Sequence, residues 1–138
     1  MNGSAIKIKL ALAICGLSLA TSVTPMLAHH SVESQYDVGK VLTIQGSVTK
    51  IEWTNPHARF WVDAKNDDGT VSNWEMELPA PNALRYQNVR MDFVKQGDQV
   101  TVDLWRAKNG SRLAHALSVT VPDGRVLNFP RSWGMPAK

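Results

Sequence analysis

Alternating apolar and polar residues begin at Val41 and predict a long first strand. Its inward face is expected to carry Leu42, Ile44, Gly46 and Val48. The phase then changes, because Ile51 and Trp53 are apolar at odd-numbered positions. One extra residue at positions 49–50 keeps these side chains on the buried face, which is the signature of a β-bulge. The pattern therefore predicts a long strand that bends.

Four later segments show the same two-residue period. Their predicted inward residues are Phe60 and Val62; Trp74, Met76 and Leu78; Val100, Val102 and Leu104; and Leu117, Val119 and Val121. Residues 81–87 lack this alternation and predict a short helix with Leu84 in the core. Turns rich in Asn, Asp and Gly separate the strands, as at residues 66–69.

The predicted elements are three strands, a short helix and two more strands, and the first strand has a bulge. This is the element order of an OB-type barrel. We therefore predict a mainly β fold, a small five-stranded OB-like β-barrel with one short helix between strands 3 and 4. The barrel is expected over residues 41–130, after an N-terminal arm at 29–40 and before a C-terminal tail at 131–138. An up-and-down meander or a small sandwich is the alternative. An OB-like fold is compatible with several ligand classes and does not select a function.

The first 28 residues have the features of a secretory signal peptide. Lys7 and Lys9 precede an apolar run at residues 10–23, which is short for a membrane span of about 20 residues. We favour cleavage after Ala28, with cleavage after Ala20 as the competitor. The sequence thus predicts an exported protein, periplasmic or extracellular, with no stable membrane insertion after processing.

Processing changes the charge balance of the chain. The 15 basic residues fall to 13 when Lys7 and Lys9 are removed, against 12 acidic residues, so the formal net charge falls from +3 to +1. Cys15 is also removed, and the mature chain has no cysteine. From the near-neutral charge and the exported location we expect no nucleic-acid partner.

Several short motifs resemble a known family. They are the His29-His30-Ser31 start, the Gly-to-His run at residues 46–57 containing Glu-Trp-Thr-Asn-Pro-His, the Trp-Glu pair at 74–75, and the runs at 81–84, 97–100 and 123–125. Together they are similar to a family of small exported bacterial proteins of unknown function. The resemblance implies export and a small β-barrel, and it implies no activity and no catalytic residues.

Three histidines suggest a metal site. Cleavage after Ala28 would make His29 the first residue, whose α-amine and ring Nδ1 can chelate a metal together. His57, or His30, would supply a further nitrogen, as in the copper histidine brace, and such nitrogen ligands suit Cu(II). We therefore predict a copper site at His29, His57 and His30. The alternative is a mobile polar N-terminus and a histidine that serves only in a turn.

Other residues around this site have supporting or structural roles in the prediction. Glu75 or Glu77 on the third strand could orient a histidine ring, and Asn55 is a further candidate beside His57. His115 shares a predicted face with apolar residues, so we expect it at the rim or in the core rather than as a ligand.

A second hypothesis uses the tryptophans. Trp61 and Trp105 are out of phase with the apolar faces of their strands, so they could stack on a carbohydrate or another planar ligand. A structural or assembly role in the cell envelope is a further alternative. Enzymatic activity is disfavoured: no cysteine nucleophile survives processing, no phosphate-binding glycine loop is present, and we assign no catalytic residue. The expected partner is a small ligand or a metal ion, and the sequence does not indicate whether the protein has protein partners.

Overall fold

The computed structural model describes residues 31–133. In chain order its elements are α1 (Val32–Gln35), β1 (Tyr36–Glu52), β2 (Arg59–Lys65), β3 (Val71–Glu77), α2 (Pro81–Tyr86), a 3-10 turn (Met91–Phe93), β4 (Gln99–Ala107), β5 (Leu113–Thr120) and β6 (Val126–Asn128). The prediction of a mainly β fold with a short helix between the third and fourth strands is confirmed. None of the helices in this range is long and apolar enough to cross a membrane.

Strand pairing closes the sheet into a barrel. β1 pairs antiparallel with both β2 and β4, β2 pairs with β3, and β4 pairs with β5. A short parallel pairing between β3 and β5 closes the ring, and β6 extends the sheet beside β5. This is the OB-type arrangement that the sequence predicts. The meander alternative is wrong, because the fourth strand pairs with the first strand and not with the third.

The predicted bulge in β1 is present. Val48 lies opposite Val62, and Lys50 lies opposite Trp61, so Thr49 is the extra residue. Gly46 shows how closely the strands approach, since a Cβ atom there would lie 2.1 Å from the Asp63 carbonyl oxygen. Only glycine fits this position, and β1 can therefore bend around the barrel.

The barrel interior is apolar and well filled. Its fully buried side chains include Phe60, Val62, Met76, Leu78, Leu84, Val102, Leu104 and Val119. Pro at the first position of α2 suits a helix start, and the helix places Leu84 in this core, as predicted. The residues that the alternation in β2, β3 and β4 predicts to point inward are all in this core.

A second, smaller core covers the opposite face of β4 and β5. The β4–β5 register shifts between Asp103, opposite Ser118, and Leu104, opposite Ala116, so Leu117 is an extra residue. Its side chain consequently leaves the barrel core and joins a cluster made of Val32, Tyr36, Trp105, Ala107 and Leu117. The prediction that Leu117 points into the barrel is wrong because of this second bulge.

The two ends of the described chain build this second core. β1 begins at Tyr36, five residues before the start that the alternation predicts, and α1 precedes it with Ser31 as its N-cap. The side chain of Ser31 accepts a hydrogen bond from the Ser34 amide at 3.2 Å, and Val32 and Tyr36 are buried. Trp133 packs against the same cluster from the C-terminal side. Parts of the predicted arm and tail thus lie against the barrel.

Candidate functional site

The loop between β1 and β2 brings His57 to the end of β3. The next residue, Ala58, exchanges backbone hydrogen bonds with this region: its amide donates to Pro79 at 3.2 Å and its carbonyl accepts from Leu78 at 2.9 Å. Arg59 then pairs with Glu77 across the strands. His57 Nδ1 consequently lies 2.6 Å from Glu77 Oε1, although 20 residues separate them in sequence.

Glu77 is a buried carboxylate at the centre of a polar network. Only 6% of its surface is exposed, and its other oxygen accepts a hydrogen bond from the Tyr36 hydroxyl. Arg59 Nη2 lies 3.4 Å from Oε1. Burial acts to raise the pKa of this carboxyl, but the hydrogen bonds from Tyr36 and His57 and the nearby positive charges outweigh burial and leave the pKa lowered. Glu77 is therefore ionised at neutral pH.

An ionised Glu77 determines the tautomer of His57. Since a carboxylate only accepts hydrogen bonds, His57 Nδ1 must donate its proton to Glu77. In the neutral imidazole the lone pair then lies on Nε2. The side chain keeps 23% of its surface exposed, so this ring can contact a ligand from solution.

His115 lies beside this network and is fully buried. Its Nε2 lies 2.9 Å from the Pro130 carbonyl oxygen and therefore donates to it, which leaves the Nδ1 lone pair without a partner among the described residues. Burial lowers the pKa of this imidazole to about 4. His115 is thus a neutral histidine of the second core, which agrees with the predicted rim or core role.

Aromatic rings form the wall around both histidines. The Trp133 indole stacks on the His57 ring, with 4.0 Å between centroids and 22° between planes, and it meets the His115 ring edge-on at 4.6 Å. Trp105 is stacked on the His115 ring, with 5.7 Å between centroids and 21° between planes. Both indole Nε1 atoms are buried without a hydrogen-bond partner in the described part of the chain. The network around Glu77 is therefore enclosed on one side by apolar surface.

The residues that the sequence predicts for the metal site do not all lie together. His29 and His30 lie outside the described residues. Glu77 contacts His57, whereas Glu75 lies 3.2 Å from Arg59 Nε in an ion pair. Asn55 is exposed in the loop. Within residues 31–133 no group of three or more His, Cys, Asp or Glu side chains is placed to hold a metal ion.

The two tryptophans of the stacking hypothesis differ in their exposure to solvent. Trp105 is only 4% exposed, so its prediction as an exposed stacking residue is wrong. The sequence phase places it correctly outside the barrel, but α1 and the C-terminal segment cover that face. Trp61 is half-buried, and the Lys50 ammonium lies 4.5 Å from the centre of its ring. The role of Trp61 as a stacking surface for a ligand stays a prediction.

Sequence reasoning missed three residues of the site: Tyr36, Arg59 and Trp133. Tyr36 falls in a polar stretch without a clear period, and Trp133 falls in the predicted tail. A lone aromatic residue in each polar segment was the available signal, because an aromatic side chain gains much from burial.

Comparison with known protein families gives a match over most of the chain. A family model covers residues 17–116, more than two thirds of the chain, and its description is a family of unknown function, DUF6152. The chain belongs to this family. Membership agrees with the family type that the sequence motifs resemble, and it assigns no activity to the DUF6152 chain. No curated protein matches it.

Among solved structures, the chain is similar to the mitochondrial single-stranded DNA-binding protein Rim1 from S. cerevisiae. The identity is 10%, the TM-score is 0.46, and the similarity covers 60% of this chain and 93% of Rim1. This finding contradicts our exclusion of nucleic acid, which is wrong as stated: a net charge describes the whole chain and not a single face. A likeness of this size assigns no DNA binding to the DUF6152 chain.

Proposed function

We propose that this DUF6152 protein is an exported metal-binding protein, with Cu(II) as the preferred ion and His57 as the ligand within the described part of the chain. A single observation carries the proposal. The 2.6 Å contact between His57 Nδ1 and the buried Glu77 carboxylate leaves Nε2 as the free lone pair on a ring that remains partly exposed.

A carboxylate behind a histidine is the usual support of a metal ligand. The carboxylate fixes the tautomer and the orientation of the ring, and it makes the opposite nitrogen more basic. Glu77 is itself held by Tyr36 and Arg59, so the ring is positioned before a metal arrives. A histidine that served only in a turn would not require this second layer of hydrogen bonds.

The N-terminal histidines are proposed as the remaining ligands. Ser31, the first described residue, caps α1, and this single turn leads directly into Tyr36. One helical turn spans about 6 Å, and two extended residues add about 7 Å. Because Tyr36 contacts Glu77, His29 is within reach of the region around His57.

Cu(II) is favoured by the chemistry of these donors. An α-amine and imidazole nitrogens are borderline ligands, and Cu(II) has the highest affinity of the divalent first-row ions for such sites. The absence of cysteine from the chain after residue 28 leaves no thiolate that would favour other metals. A carrier, sensor or assembly role agrees better with this donor set than catalysis.

The test is a Cu(II) titration of protein that begins at His29, with electron paramagnetic resonance to detect coordinated nitrogen. We expect nitrogen coordination and at least tenfold weaker binding in His57→Ala. His115→Gln is the matched control, because it changes a histidine of the second core and should bind copper normally. A further protein with one glycine before His29 should also bind at least tenfold more weakly. Unchanged affinity in His57→Ala or in the extended protein would show that the site is wrong.

Export and processing have their own measurement. The mass of the protein recovered after expression of the full chain in a bacterial host should correspond to a start at His29. A start at Thr21 would place eight residues before His29 and remove its free α-amine from the proposed site.

A further inference from the structure

A cavity lies near the exit of β1, and the network around Glu77 does not line it. Its volume is about 690 Å³, and it is lined by Trp53, Arg85, Asn88, Arg90, Met91 and Asp92. Trp53 belongs to the same Glu-Trp-Thr-Asn-Pro-His motif as His57. The proposed metal site uses only the histidine of this motif. Trp53 packs against the barrel core and also lines the cavity with its half-buried indole.

Two arginines give the cavity its charge. Arg85 lies in the last turn of α2 and Arg90 lies just before the 3-10 turn, and both side chains are exposed. Within residues 31–133 neither guanidinium forms an ion pair, although the Asp92 carboxylate also lines the cavity. The wall thus presents two unpaired cations and one anion, a combination that attracts an anionic ligand.

The backbone between the two arginines is held in place. Asn88 adopts a left-handed conformation with φ of 60°, and its amide donates to Arg85 at 3.0 Å. The amide of Val89 donates to Leu84 at 2.9 Å, which completes a Schellman-type helix end. Since Leu84 and Val89 are buried, the segment that carries both guanidinium groups is anchored to the core.

Trp53 supplies a planar surface in the same cavity. Its indole is half-buried and packs at a tilt against Phe93, with 6.4 Å between ring centroids. Met91 is 59% exposed on the cavity wall, and its unbranched thioether adapts to the shape of an apolar ligand. An indole face and a flexible methionine suit an aromatic body, whereas guanidinium groups suit a carboxylate.

We propose that this cavity is a binding site for a small aromatic carboxylate. The carboxylate binds Arg85 and Arg90, and the ring lies against Trp53 and Met91. Asp92 accepts a hydrogen bond from a hydroxyl or amino group on the ring. This site does not depend on the proposed metal site, and either can fail without the other.

The test uses 1-naphthoate as the probe and isothermal titration calorimetry as the measurement. The double variant Arg85→Gln/Arg90→Gln should bind at least tenfold more weakly than the unmodified protein. Lys65→Gln/Arg112→Gln removes the same charge from residues outside this cavity and should bind unchanged. The neutral analogue 1-naphthamide should also bind at least tenfold more weakly than 1-naphthoate, because it lacks the carboxylate.

Nuclear magnetic resonance locates the bound probe. The indole resonance of Trp53, assigned by its loss in Trp53→Phe, should shift on addition of 1-naphthoate, whereas that of Trp61 should not. Equal affinity of the arginine double variant and the unmodified protein would overturn the proposal. Equal binding of the amide and the carboxylate, or an unshifted Trp53 resonance, would also overturn it.

Discussion

The Tyr36 hydroxyl donates a hydrogen bond to the buried carboxylate of Glu77, which lies 41 residues later in the chain. Burial raises the pKa of this tyrosine, and the hydrogen bond to Glu77 raises it further, so the hydroxyl keeps its proton at all ordinary pH values. Tyr36 is therefore a permanent donor. It connects the first residue of β1 to the last residue of β3, and through Glu77 to His57.

Replacing Glu77 with Gln should lower the free energy of unfolding by about 3 kcal/mol, because three donors around a buried carboxylate lose an ionised acceptor. Glu75→Gln is the matched control. Glu75 is about a third exposed and contacts only Arg59 among the ion pairs of the described residues, so its loss should cost less than about 1 kcal/mol. Urea unfolding measures both values, and similar losses in the two variants would contradict a special role for Glu77.

His115 should make stability depend on pH. Its pKa is about 4 in the folded protein and close to 6.5 when the chain is unfolded, so the unfolded chain binds the proton more readily. Stability from this group is complete above pH 6.5 and is lost as pH falls from 6.5 towards 4. The total loss corresponds to about 3 kcal/mol.

The measurement is the free energy of unfolding between pH 7 and 4. His115→Gln should show a flatter profile than the unmodified protein over this window. The imidazole resonances of His115 provide a check that requires no variant, because they should titrate well below pH 6. Titration near pH 6.5 would show that His115 is not buried as described.

Gly46 tests the geometry of the bent first strand. In Gly46→Ala the new Cβ atom would lie 2.1 Å from the Asp63 carbonyl oxygen, so the strands must separate, at a cost of about 2 kcal/mol or more. Gly39→Ala is the control in the same strand, since the nearest atom would lie 3.6 Å away. We expect Gly39→Ala to change stability by less than about 0.5 kcal/mol. Thermal unfolding compares the two, and a stable Gly46→Ala would contradict the strand register.

The barrel was predictable because its residues obey a local rule. Val102 and Met76 each lie between two polar residues, and the phase change after Val48 reveals the bulge without a structure. The second core obeys no such rule. Trp105 and Leu117 are buried only because distant segments of the chain cover them. The alternation of residues within β4 and β5 does not indicate that these segments pack there.

The candidate site, like the fold, could be predicted from the sequence only in part. His57 and Glu77 could be selected by residue type, and Glu77 was correctly assigned to the third strand. His57 lies in the loop between β1 and β2, two residues before β2 begins. The contact itself depends on how the β1–β2 loop meets the end of β3, which local sequence does not specify. The stacking of Trp133 on His57 was still harder to predict from the sequence, because the two residues are 76 positions apart and Trp133 lies in an irregular C-terminal segment.

Trp133 gives a direct optical test of copper binding at His57. Its indole lies 4.0 Å from the His57 ring, so a paramagnetic Cu(II) ion bound at Nε2 should quench Trp133 more than the tryptophans farther from this ring. In Trp133→Phe the copper-dependent part of the quenching should fall by more than half, and the phenyl ring preserves an aromatic contact with His57. Trp61→Phe is the control, because Trp61 lies on β2 beside Lys50, and it should leave this quenching almost unchanged. If copper quenches all three proteins equally, the ion binds away from His57; if none is quenched, the proposed metal site is absent.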